Sequence, residues 1–281
     1  MKQRALPLGT IIAGVALMAV LATGPVQADV STIQTATSAF GRGDYATAVG
    51  LYRPLAEKGD AAAQFNLGVL YARGLGVTRD YGQAVAWYRR SAEQGRVEAQ
   101  FGLGTMYLAG LGVPQDYAEA AKWYRKAAEQ GDAGAQNGLG IMYDKNRGVP
   151  QNYAEAVAWF RKAADQGYAA AQYNLAFMYD KGRGVDPDVA AALKWYRKAA
   201  DQGYPEAQDT LGHMHAEGRG VPKDLVQAHK WYTLAAAGFT PSEAKQKALA
   251  LKKASTLAQG MSPEQLAASG NLARQWQRPS P

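Results

Sequence analysis

Hydrophobic and polar residues alternate along this chain with the period of amphipathic helices. One stripe has apolar residues at offsets 0, 3, 4, 7, 10 and 11: Tyr117, Ala120, Ala121, Tyr124, Ala127 and Ala128. This spacing places the residues on one helix face, and Trp123 widens that face. A second segment carries Ala99, Leu103 and Tyr107 at spacing four. The glycine-rich stretch 110–114 lies between the two segments and predicts a chain reversal, and thus a pair of antiparallel helices.

Asp116 precedes the first stripe, and Gly131 follows it. An aspartate at that place predicts an N-cap, because its carboxylate accepts the free amides of the first helical turn. A glycine just beyond the helix predicts a left-handed residue at its end. The first stripe is therefore predicted to be one bounded helix of four turns.

The same pattern returns every 36 residues without an insertion. Five of the six tryptophans share one place in the repeat: Trp87, Trp123, Trp159, Trp195 and Trp231. Leucines share another place: Leu67, Leu103, Leu139, Leu175 and Leu211. A helix pair of this size cannot bury both of its faces, so consecutive pairs are expected to stack. The predicted fold class is all-α, an α/α solenoid of antiparallel helix pairs with a 36-residue period.

These residues resemble a known repeat family. The string that carries the resemblance is Ala99-Gln100, Leu103-Gly104, Tyr107, Gly110, Gly112-Val113, Asp116, Ala120, Trp123-Tyr124, Lys126-Ala127-Ala128 and Gly131. It is similar to the Sel-1-like repeat, a branch of the tetratricopeptide superfamily, and the similarity covers about residues 44 to 240. The resemblance implies a right-handed superhelix used as an adaptor or scaffold for protein complexes, often in the bacterial cell envelope. It does not fix one partner.

The two ends of the chain depart from the repeat. Residues 1–28 have a basic start at Lys2 and Arg4, an apolar run 11–22 and small residues at 26–28, which together predict a signal peptide. The mature chain is then expected to begin at Asp29 and to reside in the periplasm, with secretion as the alternative. Residues 29–43 are predicted to be an N-terminal capping helix, 44–240 the repeat solenoid, and 241–281 C-terminal capping helices and a tail. No later stretch is apolar enough to span a membrane.

Composition changes this picture only slightly. The chain has no cysteine, so disulfides and a lipid-modified cysteine are excluded. The formal net charge is +7 and falls to +5 once Lys2 and Arg4 are removed. Such a mild excess is a weak indication of acidic partners. A nucleic-acid surface is not expected, because Arg89, Arg125, Arg161 and Arg197 each have an acid four residues later in the helix.

The sequence contains no recognisable catalytic motif. There is no cysteine, no serine in a Gly-x-Ser-x-Gly elbow, and loops such as Gly74-Leu75-Gly76 lack the third glycine of a phosphate-binding motif. We therefore predict a protein that is not an enzyme and has no cofactor or metal. Asp144 and Asp180, each followed by a lysine, are interpreted as a solvated charged face rather than a glycosidase pair.

Three histidines lie in the last full repeat. His215 replaces the tyrosine found at this place in the earlier repeats, His213 is two residues away, and His229 lies on the next helix. We favour one core substitution with two exposed histidines, and a metal or pH-sensing site remains the alternative.

The resemblance implies that the first helix of each pair lines a concave surface. One row there contains Phe65, Phe101, Asn137, Tyr173 and Asp209, and a second row contains Val69, Thr105, Ile141, Phe177 and His213. Exposed aromatics in a row mark binding surfaces, so these residues predict a groove for a partner. The alternative is that the aromatics are buried against the facing helix or the next repeat. A possible edge contact is the loop column Arg147, Arg183 and Arg219, where earlier repeats have Leu75 and Leu111.

The hypothesis from the sequence is a non-enzymatic scaffold or adaptor of the cell envelope. It binds a protein or peptide of the envelope in the groove, and one form of it is a periplasmic regulator of a signalling receptor. The alternative is a structural subunit of a polysaccharide-export or cell-wall-associated assembly. No nucleic acid is expected as a partner, and no integral membrane segment is expected in the mature chain.

Overall fold

The computed structural model describes residues 30–276, which contain fourteen α-helices, one short 3-10 turn and no strand. The helices are α1 (Val30–Gly41), α2 (Tyr45–Glu57), α3 (Ala61–Arg73), α4 (Tyr81–Glu93), α5 (Val97–Ala109), α6 (Tyr117–Glu129), α7 (Ala133–Lys145), α8 (Tyr153–Asp165), α9 (Ala169–Lys181), α10 (Val189–Asp201), α11 (Pro205–Glu217), α12 (Leu225–Gly238), α13 (Ala244–Ala258) and α14 (Pro263–Gln275). The 3-10 turn, Pro241–Glu243, lies between α12 and α13. Within these residues, no helix has both the length and the apolar character needed to cross a bilayer. The signal peptide predicted for residues 1–28 lies outside the described residues.

The described helices form two compact units, one ending at Gln151 and the other beginning at Asn152. Within each unit, each helix before α13 packs against the next one along the chain. This arrangement is a solenoid of stacked helix pairs, and the predicted fold class is confirmed. We call α3, α5, α7, α9 and α11 the first helices, and α2, α4, α6, α8, α10 and α12 the second helices. The predicted limits of the capping segments at residues 43 and 241 remain predictions.

Polar caps fix where the second helices begin. The Asp116 carboxylate accepts the amides of Ala118 at 2.8 Å and Glu119 at 3.0 Å, which confirms the predicted N-cap. Asp44, Asp80, Asn152, Asp188 and Asp224 cap their helices in the same way. At the other end, Gly131 has a φ of +98°, as its place after the helix predicted. These caps satisfy amides that the helix itself leaves without partners.

A tyrosine inserted between two glycines organises the core of the first unit. Tyr124 of α6 is fully buried, and its ring lies against Gly104 of α5. A Cβ at Gly104 would lie 2.7 Å from this ring, and one at Gly138 of α7 would lie 2.9 Å from it. The absence of a side chain at both places lets the neighbouring helices approach the ring closely. The Tyr124 ring therefore joins three consecutive helices.

Hydrogen bonds between amide side chains join successive repeats. In the first unit, Gln94 donates to Gln64 at 2.7 Å, and Gln130 donates to Gln100 at 2.8 Å. In the second unit, Gln202 donates to Gln172 at 2.8 Å. The accepting amides of Gln64, Gln100 and Gln172 are buried, and these bonds give them partners while linking the repeats.

Arginines on the second helices make a further link. They donate to the hydroxyl of a tyrosine 18 residues later: Arg53 to Tyr71 (2.9 Å), Arg89 to Tyr107 (2.7 Å), Arg125 to Tyr143 (2.8 Å) and Arg161 to Tyr179 (2.8 Å). The expectation that Arg89, Arg125 and Arg161 pair with an acid four residues later is wrong, because the tyrosine hydroxyl on the following first helix accepts from the guanidinium instead. For Arg197, where His215 stands at the place of the tyrosine, the pairing stays a prediction. What looked in the sequence like charge balance within one helix is a bond between helices.

The carboxyl-terminal helices close the second unit. Both α13 and α14 pack against α12. Ser262 caps α14 and forms a reciprocal capping box with Gln265, as the sequence predicted. His229 of α12 shares a 2.8 Å hydrogen bond with the buried Ser269 of α14, which holds the last helix in place.

Candidate binding surface on the first helices

Phe65 and Val69, the first members of the two predicted rows, are buried. Phe65 is 3% exposed and Val69 is 7% exposed, so the expectation that they lie on an open groove wall is wrong. The Phe65 ring packs on Tyr88 with 5.7 Å between ring centroids. The guanidinium of Arg96 covers the same ring at 5.4 Å from its centroid. This environment matches the alternative weighed for these aromatics, burial against neighbouring helices.

Three further row residues of the first unit differ from one another. Phe101 is partly exposed and stacks on Tyr124, with ring centroids 5.5 Å apart and planes 26° apart. Thr105 is buried, and its hydroxyl lies 3.1 Å from the Tyr124 hydroxyl. Ile141 is partly exposed. Phe101 and Ile141 therefore have accessible apolar surface on the first helices, whereas Thr105 serves the core.

In the second unit, the members of both rows described next are all at least partly exposed, unlike Phe65 and Val69 of the first unit. Tyr173 is partly exposed and lies between Tyr196 and Tyr204, at centroid distances of 5.5 and 5.4 Å. Its burial among these rings raises the pKa of its hydroxyl to about 12, so Tyr173 stays neutral at any physiological pH. Phe177 is partly exposed beneath the Arg183 guanidinium, 5.4 Å from the ring centroid. His213 is exposed, and its Nε2 lies 3.1 Å from Glu217 Oε2.

The residue that caps the following first helix decides how much of each row aromatic is covered. Arg96 covers Phe65, and Tyr204 covers one side of Tyr173. At the same place in the repeat after Phe101, Asp132 caps α7 through a 2.6 Å bond to the Ala135 amide. Its side chain is short and engaged in the cap, which leaves Phe101 partly exposed. The exposure of each row aromatic could therefore have been predicted from the residue 31 positions after it. The prediction from the sequence did not use that residue.

The predicted edge arginines lie over neighbouring groups of their own unit. Arg147 lies over the Tyr117 ring at 5.7 Å, and Arg183 lies over Tyr153 at 5.6 Å. Arg219 forms an ion pair with Asp180. Arg147 is exposed, and the other two are partly exposed. These cations already have aromatic or anionic neighbours, and their contact with a partner remains a prediction.

Asp144 and Asp180 do not form a solvated face. Their side chains are 1% and 4% exposed, so this interpretation is wrong. The lysine that follows each of them is its partner, at 2.7 Å for Lys145 and 2.9 Å for Lys181. Burial of a charge is tolerated only when it is paired, and these pairs are built from adjacent residues.

His215 is a buried histidine without a hydrogen-bond partner among the described residues. It is 7% exposed, and neither ring nitrogen makes a hydrogen bond. His215 stands where the earlier repeats have the tyrosine that accepts from arginine. Burial lowers the pKa of His215 below 6.5, the nearby cations Arg197 and Lys230 act in the same direction, and Asp224 opposes them. The native state thus favours the neutral ring.

Replacing His215 with tyrosine is expected to stabilise the protein by about 1 kcal/mol, because the new hydroxyl accepts from Arg197 as in the earlier repeats. Since the folded pKa is below 6.5, the stability that depends on neutral His215 is present above pH 6.5 and is lost as the pH falls below it. The variant should lose less stability than the parent between pH 7 and pH 5. Urea unfolding at both pH values measures this effect. In the control, Arg197→Met in the His215→Tyr background should remove the gain at pH 7; a gain that survives this change would contradict the hydrogen-bond explanation.

Comparison with known proteins agrees with the geometry. The family model described as Sel1 repeat matches five consecutive segments, 61–95, 97–132, 133–168, 169–204 and 205–238. A Sel1 repeat protein from Oxalobacter formigenes is 32% identical, with a TM-score of 0.75 over 90% of this chain and 100% of its own. Protein c5321, a protective antigen present in uropathogenic Escherichia coli strains and displaying an SLR fold, is 33% identical with a TM-score of 0.58. That alignment covers 86% of this chain and 62% of c5321.

No curated protein matches the chain. Sel1 repeats typically mediate protein–protein interaction, and the fold is that of a family of non-catalytic interaction scaffolds. Five matched repeats, arranged as stacked helix pairs, decide the assignment: this chain belongs to the Sel1 repeat family.

Proposed function

We propose that this chain is an exported adaptor of the bacterial cell envelope that binds a protein or peptide partner on its first helices. The family supports a protein partner. The basic, apolar and small-residue pattern of residues 1–28 supports export to the periplasm.

The observation that carries the binding proposal is a set of large, partly exposed side chains on the first helices that are already held in place. Phe101 is stacked on Tyr124, and Tyr173 is fixed between two tyrosine rings. Ordered aromatic side chains lose little conformational freedom when they bind, which is why such residues dominate interfaces. Phe65, although in the same row of the sequence, is buried and belongs to the core instead.

Phe177 in the second unit has a cation beside its accessible ring. The Arg183 guanidinium lies over its ring, so an apolar face and a cation occur together. Such a site suits a peptide that offers an apolar side chain and either a backbone carbonyl or a carboxylate.

Capture from an envelope extract tests the proposal. Tagged chain recovered from osmotic-shock fluid is the bait, and the double variant Phe101→Ala with Phe177→Ala should retain at least tenfold less of its partner. Lys194→Ala changes an exposed residue of the second helix α10 and is the matched control, expected to capture normally. Circular dichroism confirms that each variant is folded. Undiminished capture by the folded double variant would place binding elsewhere, and full-length chain found only with membranes would contradict export.

A further inference from the structure

The helix α13 has an unusual charge distribution. Its 15 residues, Ala244–Ala258, include four lysines and no acidic residue. Lys253 is neutralised by Asp209 of α11, with Nζ 2.8 and 2.6 Å from the two carboxylate oxygens. Among the described residues, Lys245, Lys247 and Lys252 have no ion pair. The exposed side of this helix therefore carries uncompensated positive charge.

A shallow apolar slot lies beside this charge, entirely within the second unit. Its volume is about 320 Å³, and it is lined by Ala216, Tyr232, Leu249 and Leu257 together with Lys252, Lys253 and Thr256. That volume is at the lower end of the range for binding pockets, roughly 300–1000 Å³. Leu249 is 53% exposed, although it is a large aliphatic side chain. The slot has room for a large apolar side chain.

Helix geometry places charge on both sides of this slot. Lys245, Leu249, Lys252 and Thr256 are spaced by four, three and four residues, so they lie on one face of α13. An exposed leucine is thus flanked by a lysine one turn before it and another one turn after it. The complement of this face is an apolar side chain with acidic groups on either side.

We propose that this face of α13 docks an acidic peptide segment of a partner protein, with one large apolar side chain in the slot and carboxylates beside Lys245 and Lys252. Opposite charges attract the segment over a distance, and the apolar contact in the slot gives it a fixed register. Neither Phe101 nor Phe177 lines the slot, so variants at these residues and variants at Leu249 test the two sites separately.

A membrane surface fits the same face less well. An interfacial helix needs a broad apolar face on the side that enters the lipid. The other strongly exposed leucine, Leu251, is two residues from Leu249 and so points about 200° away around the helix. The two exposed leucines therefore do not form one broad apolar face, which favours a single inserted side chain.

Fluorescence anisotropy with the full mature chain tests the proposal. The probe is a fluorescein-labelled octapeptide of two central leucines flanked on each side by three glutamates. It should bind, and Leu249→Ser should weaken the binding at least tenfold. Leu251→Ser is the matched control, because Leu251 is 50% exposed on the same helix but does not line the slot. It should change the affinity less than twofold.

Three results with the peptide would overturn the proposal. The first is that the peptide does not bind. The second is that Leu249→Ser and Leu251→Ser lose the same amount of peptide affinity. The third is equal binding of a peptide in which serines replace the leucines, since that would show general charge attraction. Sedimentation with vesicles of three parts phosphatidylcholine and one part phosphatidylglycerol tests whether this face binds a membrane instead. Vesicle binding that both leucine variants lose equally would assign the face to lipid instead. Circular dichroism of each variant confirms that the fold is kept.

Discussion

Replacing Tyr124 with alanine is expected to lower the free energy of unfolding by about 3 to 5 kcal/mol, the range for a large buried aromatic. Tyr124 is fully buried and lies between Gly104 and Gly138, so its removal leaves a cavity bordered by three helices. Its hydroxyl also lies 3.1 Å from the buried Thr105 hydroxyl, which would lose this partner. Urea unfolding followed by circular dichroism measures the loss.

A second substitution shows whether the fit between ring and glycine is the cause. Gly104→Val places branched carbon atoms where even a Cβ lies 2.7 Å from the ring, and should cost about 3 kcal/mol. We choose valine rather than alanine because α9 has Ala176 at the corresponding place, in the same buried cluster as Tyr196, so the fold accommodates a single methyl group there. In the Tyr124→Ala background the cost of Gly104→Val should shrink strongly, because the ring is gone. The control is Gly102→Ala, whose Cβ would lie 3.5 Å from Tyr88 in ordinary contact. Additive costs would show that the ring and Gly104 do not act together.

Phe65→Ala should cost about 3 kcal/mol, the second large effect we expect. Phe65 is buried between Tyr88 and Arg96, so its loss creates a cavity. Phe101→Ala, at the same place one repeat later, should cost less than half as much because Phe101 is partly exposed. Thermal melting of both variants measures the difference. If Phe101→Ala were the more damaging of the two, the assignment of Phe101 to the binding surface would be contradicted.

The fold was predictable because its determinants recur locally. A helix needs only its apolar period, its capping residue and its terminal glycine, and all three occur in the stretch from Asp116 to Gly131. The 36-residue period then dictates that each helix meets an equivalent neighbour. Even the final capping box at Ser262 is a local signal.

The binding surface was harder to predict because exposure depends on residues outside the repeat pattern. Phe65 and Phe101 are equivalent in sequence, yet only Phe65 has an arginine over its ring. That arginine, Arg96, is 31 residues away and is replaced by Asp132 after Phe101. The arginines of the second helices were misassigned for a similar reason, since a tyrosine 18 residues away competes with an acid four residues away. Contacts across helices decide both cases, and a helix period alone does not reveal them.

Photo-crosslinking in living cells tests the central claim, protein binding through the first helices, most directly. Benzoylphenylalanine is placed at Phe177 on the first helix α9 or at Lys194 on the second helix α10, both in the second unit. We expect a discrete protein adduct from position 177 and none from position 194. An adduct from position 194 with none from position 177 would contradict binding through the first helices.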